Sequence, residues 1–308
     1  MKGAARIFRF LADAQSAGER TALVTLTEVI GRSAREPGRH MAVSETGAAC
    51  GSFSGGCVEA AIIAEARTVI AAGQAARIRF GIGSQFIDIR LPCGGGIDLL
   101  FTPDPDIAVI MTAAERLSAR QPVSVFQPRS GGVAIGDQQR TGWYPDGFAA
   151  VHDPELRLII AGHGEELAAL VRLASAYGAE IQVLSPDRAL VDTLGSMGVV
   201  AAHLATSADV AALAADHFTA VVLLFHDHDW ETDLLIAALG SDAFFVGAMG
   251  SRSTHAARVA LLEAAGVPAD DMKRIVAPIG TIPAVRDPDM LALSILAQVV
   301  ESARDSAA

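Results

Sequence analysis

The stretch "RLIIAGHGEELAALVRLASAYGAEIQVLS", Arg157 to Ser185, holds one complete strand–helix–strand unit. "RLIIAG" is short, apolar and rich in isoleucine, as a strand buried on both faces requires. "EELAALVRLASAYG" repeats apolar residues at helical spacing and stops at Gly178. "EIQVLSP" returns to a strand. A strand, a covering helix and a second apolar strand make a βαβ unit, which implies a parallel sheet.

The pattern continues to the end of the chain. "RALVDTLGSMG" reads as a helix, "VVAAHLA" as a weak strand, and "SADVAALAADH" as a helix with Ser207 as its N-cap. "TAVVLLFH", "DAFFVGAMG" and "RIVAPIG" read as strands; "WETDLLIAALG" and "RSTHAARVALLEAAG" read as helices. A last helix starts at "RDPDM", with Asp287 as N-cap, Pro288 at the first helical position and Asp289 in the first turn. Residues 151–308 are therefore expected to form a Rossmann-like, doubly wound parallel-sheet domain.

Upstream the pattern is mixed. Helices are expected in "AARIFRFLADAQSAG", "VEAAIIAEARTVIAAG" and "DIAVIMTAAERLSA", the second ending at Gly73. "TALVTLTEVIG" reads as an alternating strand, "ARIRFGIG" and "GIDLLFTP" as further strands, and "PVSVFQP" with "GGVAIGD" as a hairpin. "RTGWYPDGFAAVHDPE", Arg140 to Glu155, has the turn residues of a linker, with Pro145, Asp146 and Gly147 in a row. The expected fold class is α/β: a mixed α/β domain over residues 1–150, linker included, then the Rossmann-like domain over 151–308.

Composition narrows the function. The 308 residues are 51% hydrophobic and 19% charged, enough for real cores and too apolar for disorder. Mean hydropathy is +0.37, yet no apolar run approaches the ~20 residues a bilayer demands. "MKGAARIFRF" lacks a signal-peptide core, so a cytoplasmic protein with no membrane partner is expected. The net charge of −11 argues against a nucleic-acid surface, which needs a basic footprint. Three cysteines, Cys50, Cys57 and Cys93, make no disulfide framework and no C-x-x-C zinc spacing.

Four stretches carry candidate chemistry. In "IIAGHGEEL", Gly162 and Gly164 sit between strand and helix, where glycine lets backbone approach a phosphate at a helix N-terminus. Asp187 then stands where a ribose-binding acid is found. Leu167 occupies the third glycine position, and Glu165 and Glu166 would repel a pyrophosphate. Two readings stand: an NAD(P) site, or a Rossmann shape without bound NAD. In "FVGAMGSRSTHAARV", Ser251, Ser253 and Thr254 crowd a helix start. Arg252 there is not a capping residue and is suited to an anion. In "FHDHDWETD", His226, Asp227, His228 and Asp229 follow a buried strand; they suit metal binding or proton transfer, or form a polar loop.

The fourth is a pair. "GSFSGGCVE", Gly51 to Glu59, places Cys57 after glycines at a helix start, where the helix dipole favours thiolate. "LPCGGGIDLL" places Cys93 before Gly94, Gly95 and Gly96. Successive glycine N–H groups form anion nests, and thiolate suits soft metals. The alternative for each cysteine is a small buried hydrophobe. Two cysteines in one glycine context read as two walls of one pocket.

These stretches, with "GRSAREPG", "GAMGSRSTHAARVALLEAAGVP" and "PIGTIPAVRDPDMLALSILAQVV", resemble the XdhC/CoxI family along nearly the whole chain. That family comprises accessory proteins of xanthine dehydrogenase and related molybdenum hydroxylases. The resemblance implies an XdhC-type N-terminal domain, a Rossmann-like C-terminal domain and binding of molybdenum cofactor, the Mo-bearing molybdopterin. It implies a chaperone, not an enzyme: one that shields the cofactor, supports its sulfuration by a cysteine desulfurase and delivers it to apo-xanthine dehydrogenase. The alternative is an NAD(P)-dependent oxidoreductase using the C-terminal domain. Implied partners are xanthine dehydrogenase, the desulfurase and molybdenum cofactor biosynthesis proteins; a homodimer is compatible with the sequence, which marks no interface. Carried over, Cys57 and Cys93 lead the cofactor contacts as Mo-proximal thiolates. Ser54, Gly55, Gly56 and Arg35 shape the pocket, and Glu59 adds a first-turn carboxylate. Arg32 and Ala34 stand where the family has Ser and Pro, Thr281 where it has Leu, and Pro283 where it has a more flexible residue.

Overall fold

A computed structural model describes residues 3–31, 36–53, 56, 58–84, 86, 94–226 and 229–306. It divides into two compact units, Met1–Pro154 and Glu155–Ala308.

The first unit is built on a buried central strand. After helix α1 (Gly3–Ser16) comes β1 (Thr21–Ile30), followed by β2 (His40–Ser44) and β3 (Ala49–Cys50). Helix α2 (Glu59–Ala72) ends on Gly73, whose left-handed backbone accommodates a terminating turn. Strands β4 (Ala76–Gly81) and β5 (Gly96–Pro103) complete a sheet of order β3-β2-β1-β5-β4, antiparallel throughout. Ala22, Val24 and Leu26 pack under α2 with Ile62, Phe80 and Phe101. Leu23 faces the other way, into a cluster with Phe8 and Leu11 of α1 and Ile110 of helix α3 (Ile107–Ser118). The expected half-buried alternation is thus two buried faces: Thr21, Thr25 and Thr27 are buried as well.

A second sheet follows α3: β6 (Val123–Pro128), β7 (Ala134–Gly136), β8 (Gly142–Tyr144) and β9 (Gly147–His152), ordered β7-β6-β9-β8. This corrects the linker reading of residues 140–155. Pro145 and Asp146 form the turn of the β8–β9 hairpin, and β9 pairs with β6 over six residues, from Val123↔His152 to Pro128↔Gly147. Turn residues were read as a connection between domains when they connect two strands.

The second unit carries β10 (Arg157–Gly162), α4 (Gly164–Tyr177), β11 (Glu180–Ser185), α5 (Arg188–Ser196), β12 (Val200–His203), β13 (Thr219–Leu224) and α6 (Glu231–Leu239). Then come β14 (Phe245–Ala248), α7 (Arg252–Ala264), α8 (Ala269–Met272), β15 (Ile275–Val276) and α9 (Pro288–Ser306). The sheet order is β12-β11-β10-β13-β14-β15, all parallel, the doubly wound Rossmann order. Alternate strand residues feed two cores. Leu158, Ile160 and Val222 pack with α4 and α9; Ile159, Val221 and Val246 pack with α6 and α7. The helix expected at Ser207 is only a 3₁₀ turn, Val210–Ala212. Ser207 Oγ donates to Asp233 instead of capping, and Asp209 accepts from the amides of Ala205 and Thr206. Asp287 does cap α9, accepting from the Met290 amide at 2.8 Å.

Candidate functional site

Strand direction gathers the glycine loops of the first unit at one end of its sheet. β1 runs out to Ile30, which pairs with Gly96 at the start of β5; β4 ends on Gly81, which also pairs with Gly96. β3 runs antiparallel to β2, so Gly51 to Phe53 continue toward the same end. Cys57, Cys93, Ser54, Gly55, Arg35, Arg32 and Ala34 lie outside the described residues. The described residues next to the two cysteines, Gly56 and Val58, and Gly94 and Gly95, flank this sheet end.

Three features shape it. The first is close backbone approach. A Cβ on Gly31 would lie 3.5 Å from Gly95 Cα, and one on Gly96 would lie 3.0 Å from the Ile82 carbonyl. Gly51, at φ +99°, would bring a Cβ to 2.8 Å from the His40 carbonyl, so only glycine fits there. The second is room: among the described residues, no atom beyond the chain neighbours lies within 4 Å of a Cβ built on Gly56 (φ +120°) or Gly94 (φ +68°). The third is an apolar floor. Phe53, Val58, Ile97 and Phe86 join one cluster, and Phe86 stacks on Phe80 with ring centroids 5.0 Å apart.

Glu59 has a different role from the one expected. Its Oε1 accepts from Ser52 Oγ at 2.6 Å and the Phe53 amide at 3.1 Å. Its Oε2 accepts from the Gly56 amide at 2.7 Å and the Val58 amide at 3.2 Å. The carboxylate therefore ties down the loop that precedes its own helix. The Gly56 N–H, expected to face an anion, is spent on Glu59. Both residues thus hold the shape of the loop before α2. The S/G-x-x-E spacing of a capping box was the signal available for this.

Under the sheet lies a buried polar chain that sequence reading missed. Thr102 Oγ1 donates to Gln127 Oε1 at 3.0 Å, and Gln127 Nε2 donates to Thr25 Oγ1 at 2.8 Å. The Thr25 hydroxyl meets His40 Nδ1 at 2.9 Å, and His40 Nε2 meets His152 Nε2 at 2.9 Å. The Thr25 hydroxyl also reaches Gln127 Oε1 at 3.2 Å, and across the His40–His152 contact one imidazole donates and the other accepts. Burial, then the neighbouring His152, holds His40 well below the usual imidazole value. Burial and the charge of Arg39 push His152 down to about 4. Along the sheet edge, Arg79 and Arg77 grip Asp98 at 2.6 Å each, and the Arg79 hydrogen bond leads in lowering its carboxyl.

In the second unit Gly162 and Gly164 form the β10–α4 turn. A Cβ on Gly162 would strike the Leu224 carbonyl at 2.5 Å, and Gly164 sits at φ +83°. Leu167 is fully buried in the core, where the expected crowding is taken up by packing. Glu165 and Glu166 occupy the first turn of α4, and Asp187 accepts from the Leu190 amide as the N-cap of α5. Ser251 is the N-cap of α7 in a capping box with Thr254; Arg252 follows it, exposed. His226 Nε2 approaches Glu166 at 3.7 Å, and Asp227 and His228 lie outside the described residues. Among the described residues no three His, Cys, Asp or Glu side chains are grouped to hold a metal. No helix among them is long and apolar enough to cross a membrane.

Comparison with known proteins adds four findings. Residues 158–299 match the XdhC Rossmann domain, and residues 14–81 match the XdhC and CoxI family. The chain is 37% identical over 295 residues to the molybdenum cofactor insertion chaperone PaoD of Escherichia coli (strain K12), covering 95% of this chain and 86% of that one. Its fold is similar to a crystal structure described as a xanthine dehydrogenase from Bacillus halodurans, with a TM-score of 0.79, 21% identity and coverage of 99% and 96%.

Proposed function

The chain belongs to the XdhC and CoxI family, and from that premise we propose that it is a molybdenum cofactor chaperone whose first unit holds the cofactor. The observation that carries the reading is the glycine-lined sheet end. There Gly31, Gly95 and Gly96 keep backbone bare of side chains, and Gly56 and Gly94 leave open space beside the two cysteine positions. Glycines beside open space and an apolar floor suit a flat pterin, and Cys57 and Cys93, next in sequence to Val58 and Gly94, would supply soft donors for a sulfur-bound metal. When bound, the cofactor would supply the oxo- or sulfido-molybdenum centre that an acceptor enzyme uses. Cys57 and Cys93 would approach that centre as thiolates; Ser54, Gly55 and Arg35 would line the pocket. Glu59 would hold the loop in shape.

The finer parts of the reading follow the family. The acceptor is a xanthine dehydrogenase-type molybdenum hydroxylase, with a cysteine desulfurase and the cofactor biosynthesis proteins as earlier partners, in the cytoplasm. The chain carries and hands over the cofactor without turning over a substrate. An NAD(P) oxidoreductase is the weaker reading: Glu165 and Glu166 stand at the helix end where a pyrophosphate would lie, and Asp187 is engaged in capping.

The test is direct. Protein purified from a cofactor-producing host and then oxidised should release a fluorescent pterin. Cys57→Ser and Cys93→Ser should each lose most of it, since serine keeps the size and loses the soft donor. A wild type without pterin, or serine variants that keep all of it, would refute the proposal.

A further inference from the structure

The head of α7 holds more hydrogen-bond donors than the fold uses. The Ser251 hydroxyl caps the Thr254 amide at 3.1 Å, and the amides of Arg252 and Ser253 have no partner among the described residues. Two turns along, Arg258 is the largest fully buried side chain, 2% exposed. Its Nε and Nη2 donate to Glu231 at 3.1 and 2.8 Å, and Nη2 also donates to the Met249 carbonyl at 2.8 Å. That last bond sets the guanidinium against the β14–α7 turn, since helical side chains lean toward the N-terminus. Its remaining nitrogen, Nη1, is buried with no partner. One turn earlier on the same helix face, His255 Nδ1 is buried without a partner too.

Two orphaned polar atoms on one face need an explanation. An unpaired buried donor is costly, and native proteins seldom leave one unmet. Glu231 and the Met249 carbonyl account for two of the arginine's nitrogens and leave the third, Nη1, unmet. Burial and the charge of Arg258 keep the His255 ring neutral, so Nδ1 is available for a single hydrogen bond. The other unspent groups at the turn are donors, two amides and the exposed Arg252 guanidinium; the hydroxyls of Ser251 and Ser253 meet each other at 2.7 Å, and Ser251 also caps Thr254. Gly250, at φ +132°, lets the backbone turn tightly here; a Cβ would strike Thr254 at 2.9 Å. Donors without acceptors, at a helix N-terminus, select a tetrahedral oxyanion over a cation or a neutral amide.

We propose that the head of α7 is a phosphate-binding site, in which Arg252 and the Arg252 and Ser253 amides hold the outer oxygens and Arg258 Nη1 and His255 Nδ1 receive the innermost one. Glu231 offsets the charge of Arg258, so the net attraction comes from Arg252 and affinity for free phosphate is modest. The site does not depend on the reading of the first unit, and its test uses no molybdenum cofactor.

Titrating the isotope-labelled full chain with sodium phosphate, against sodium chloride at equal ionic strength, reads the site. Saturating shifts in the amides of Gly250 to His255 and in the Arg258 Nε–H signal support it. Arg252→Ala should weaken phosphate at least about tenfold. The double variant Glu231→Met/Arg258→Met replaces the buried pair with apolar side chains of similar volume and should do the same at unchanged circular dichroism. Should it not fold, His255→Leu with Arg252→Ala carries the test. Adenosine monophosphate distinguishes the source: equal affinity assigns phosphate alone and tighter binding assigns a nucleotide phosphate, and both uphold the site. Shifts no larger than with chloride would leave an internal water as the partner of Nη1 and overturn it. So would an affinity that none of these variants changes.

Discussion

At the scale of single residues, the first unit stakes stability on two neutral imidazoles. His40 is 4% exposed, and Phe8 packs against both it and His152. Both rings resist protonation in the folded state, while the unfolded chain takes up protons below about pH 6.5. Below that pH the unfolded state binds more protons, so stability falls as acidity rises, and the loss continues down to the folded values, about 4 for His152. Each ring contributes roughly 1.4 kcal/mol per pH unit in that window and nothing above it. Urea unfolding at about pH 7.5 and about pH 5 should therefore differ by roughly 2 kcal/mol per ring. His152→Gln should remove about half of that difference; a slope that the variant leaves unchanged would show that His152 does not contribute to it. Glu59 makes a second residue-scale case. Four hydrogen bonds from described residues converge on its carboxylate, and Gln would turn an amide donor toward backbone donors. Glu59→Gln should cost about 1.5–3 kcal/mol in urea unfolding. It should also speed hydrogen exchange at the Phe53 and Gly56 amides while sparing the interior of α2. Equal exchange at those amides would remove the carboxylate from its proposed role.

At the scale of elements, the β8–β9 hairpin tests how the chain was read. Pro-Asp-Gly marked a turn correctly, but a turn does not say whether it joins strands or domains. That depends on β6, which lies some twenty residues upstream and supplies the pairing partner. Gly147 shows the consequence: a Cβ there would lie 2.3 Å from the Gln127 carbonyl of β6 and 2.7 Å from the Phe126 ring. Gly147→Ala should cost more than about 2 kcal/mol, against a few tenths for a substitution in a solvated linker. Chymotrypsin acting on the native protein should also leave Trp143 and Phe148 uncut, and rapid cleavage there would restore the linker. The βαβ pattern of the second unit was legible because each of its features is local: apolar strands buried on both faces, Gly178 closing α4, Asp287 capping α9. The Glu231–Arg258 pair and the His40–His152 pair were not, since their partners are 27 and 112 residues apart and neither local pattern requires the other. The candidate site divides the same way. The glycine runs beside the cysteines stood out in the sequence, whereas the engagement of Glu59 with its own loop needed the folded backbone.

At the scale of the whole molecule, charge separates the two units as sharply as fold does. Residues 1–154 carry 15 basic and 15 acidic side chains; residues 155–308 carry nine basic and 20 acidic. The net charge of −11 therefore belongs wholly to the Rossmann-like unit. Each unit also has its own cores: two clusters within the first and two within the second. At about 150 residues each is long enough to bury a self-sufficient interior. A neutral unit sets no long-range repulsion against an anionic cofactor. An acidic unit suits docking to a basic face on an acceptor, with association that slows as salt rises. Expressed separately, residues 1–154 and 155–308 should each fold with a cooperative thermal transition. At neutral pH the second should bind an anion exchanger and the first should pass through it. The pterin released on oxidation should then be found with residues 1–154. Pterin found only with the intact chain would mean that the cofactor needs both units, and pterin travelling with residues 155–308 would move the cradle out of the glycine-lined sheet end altogether.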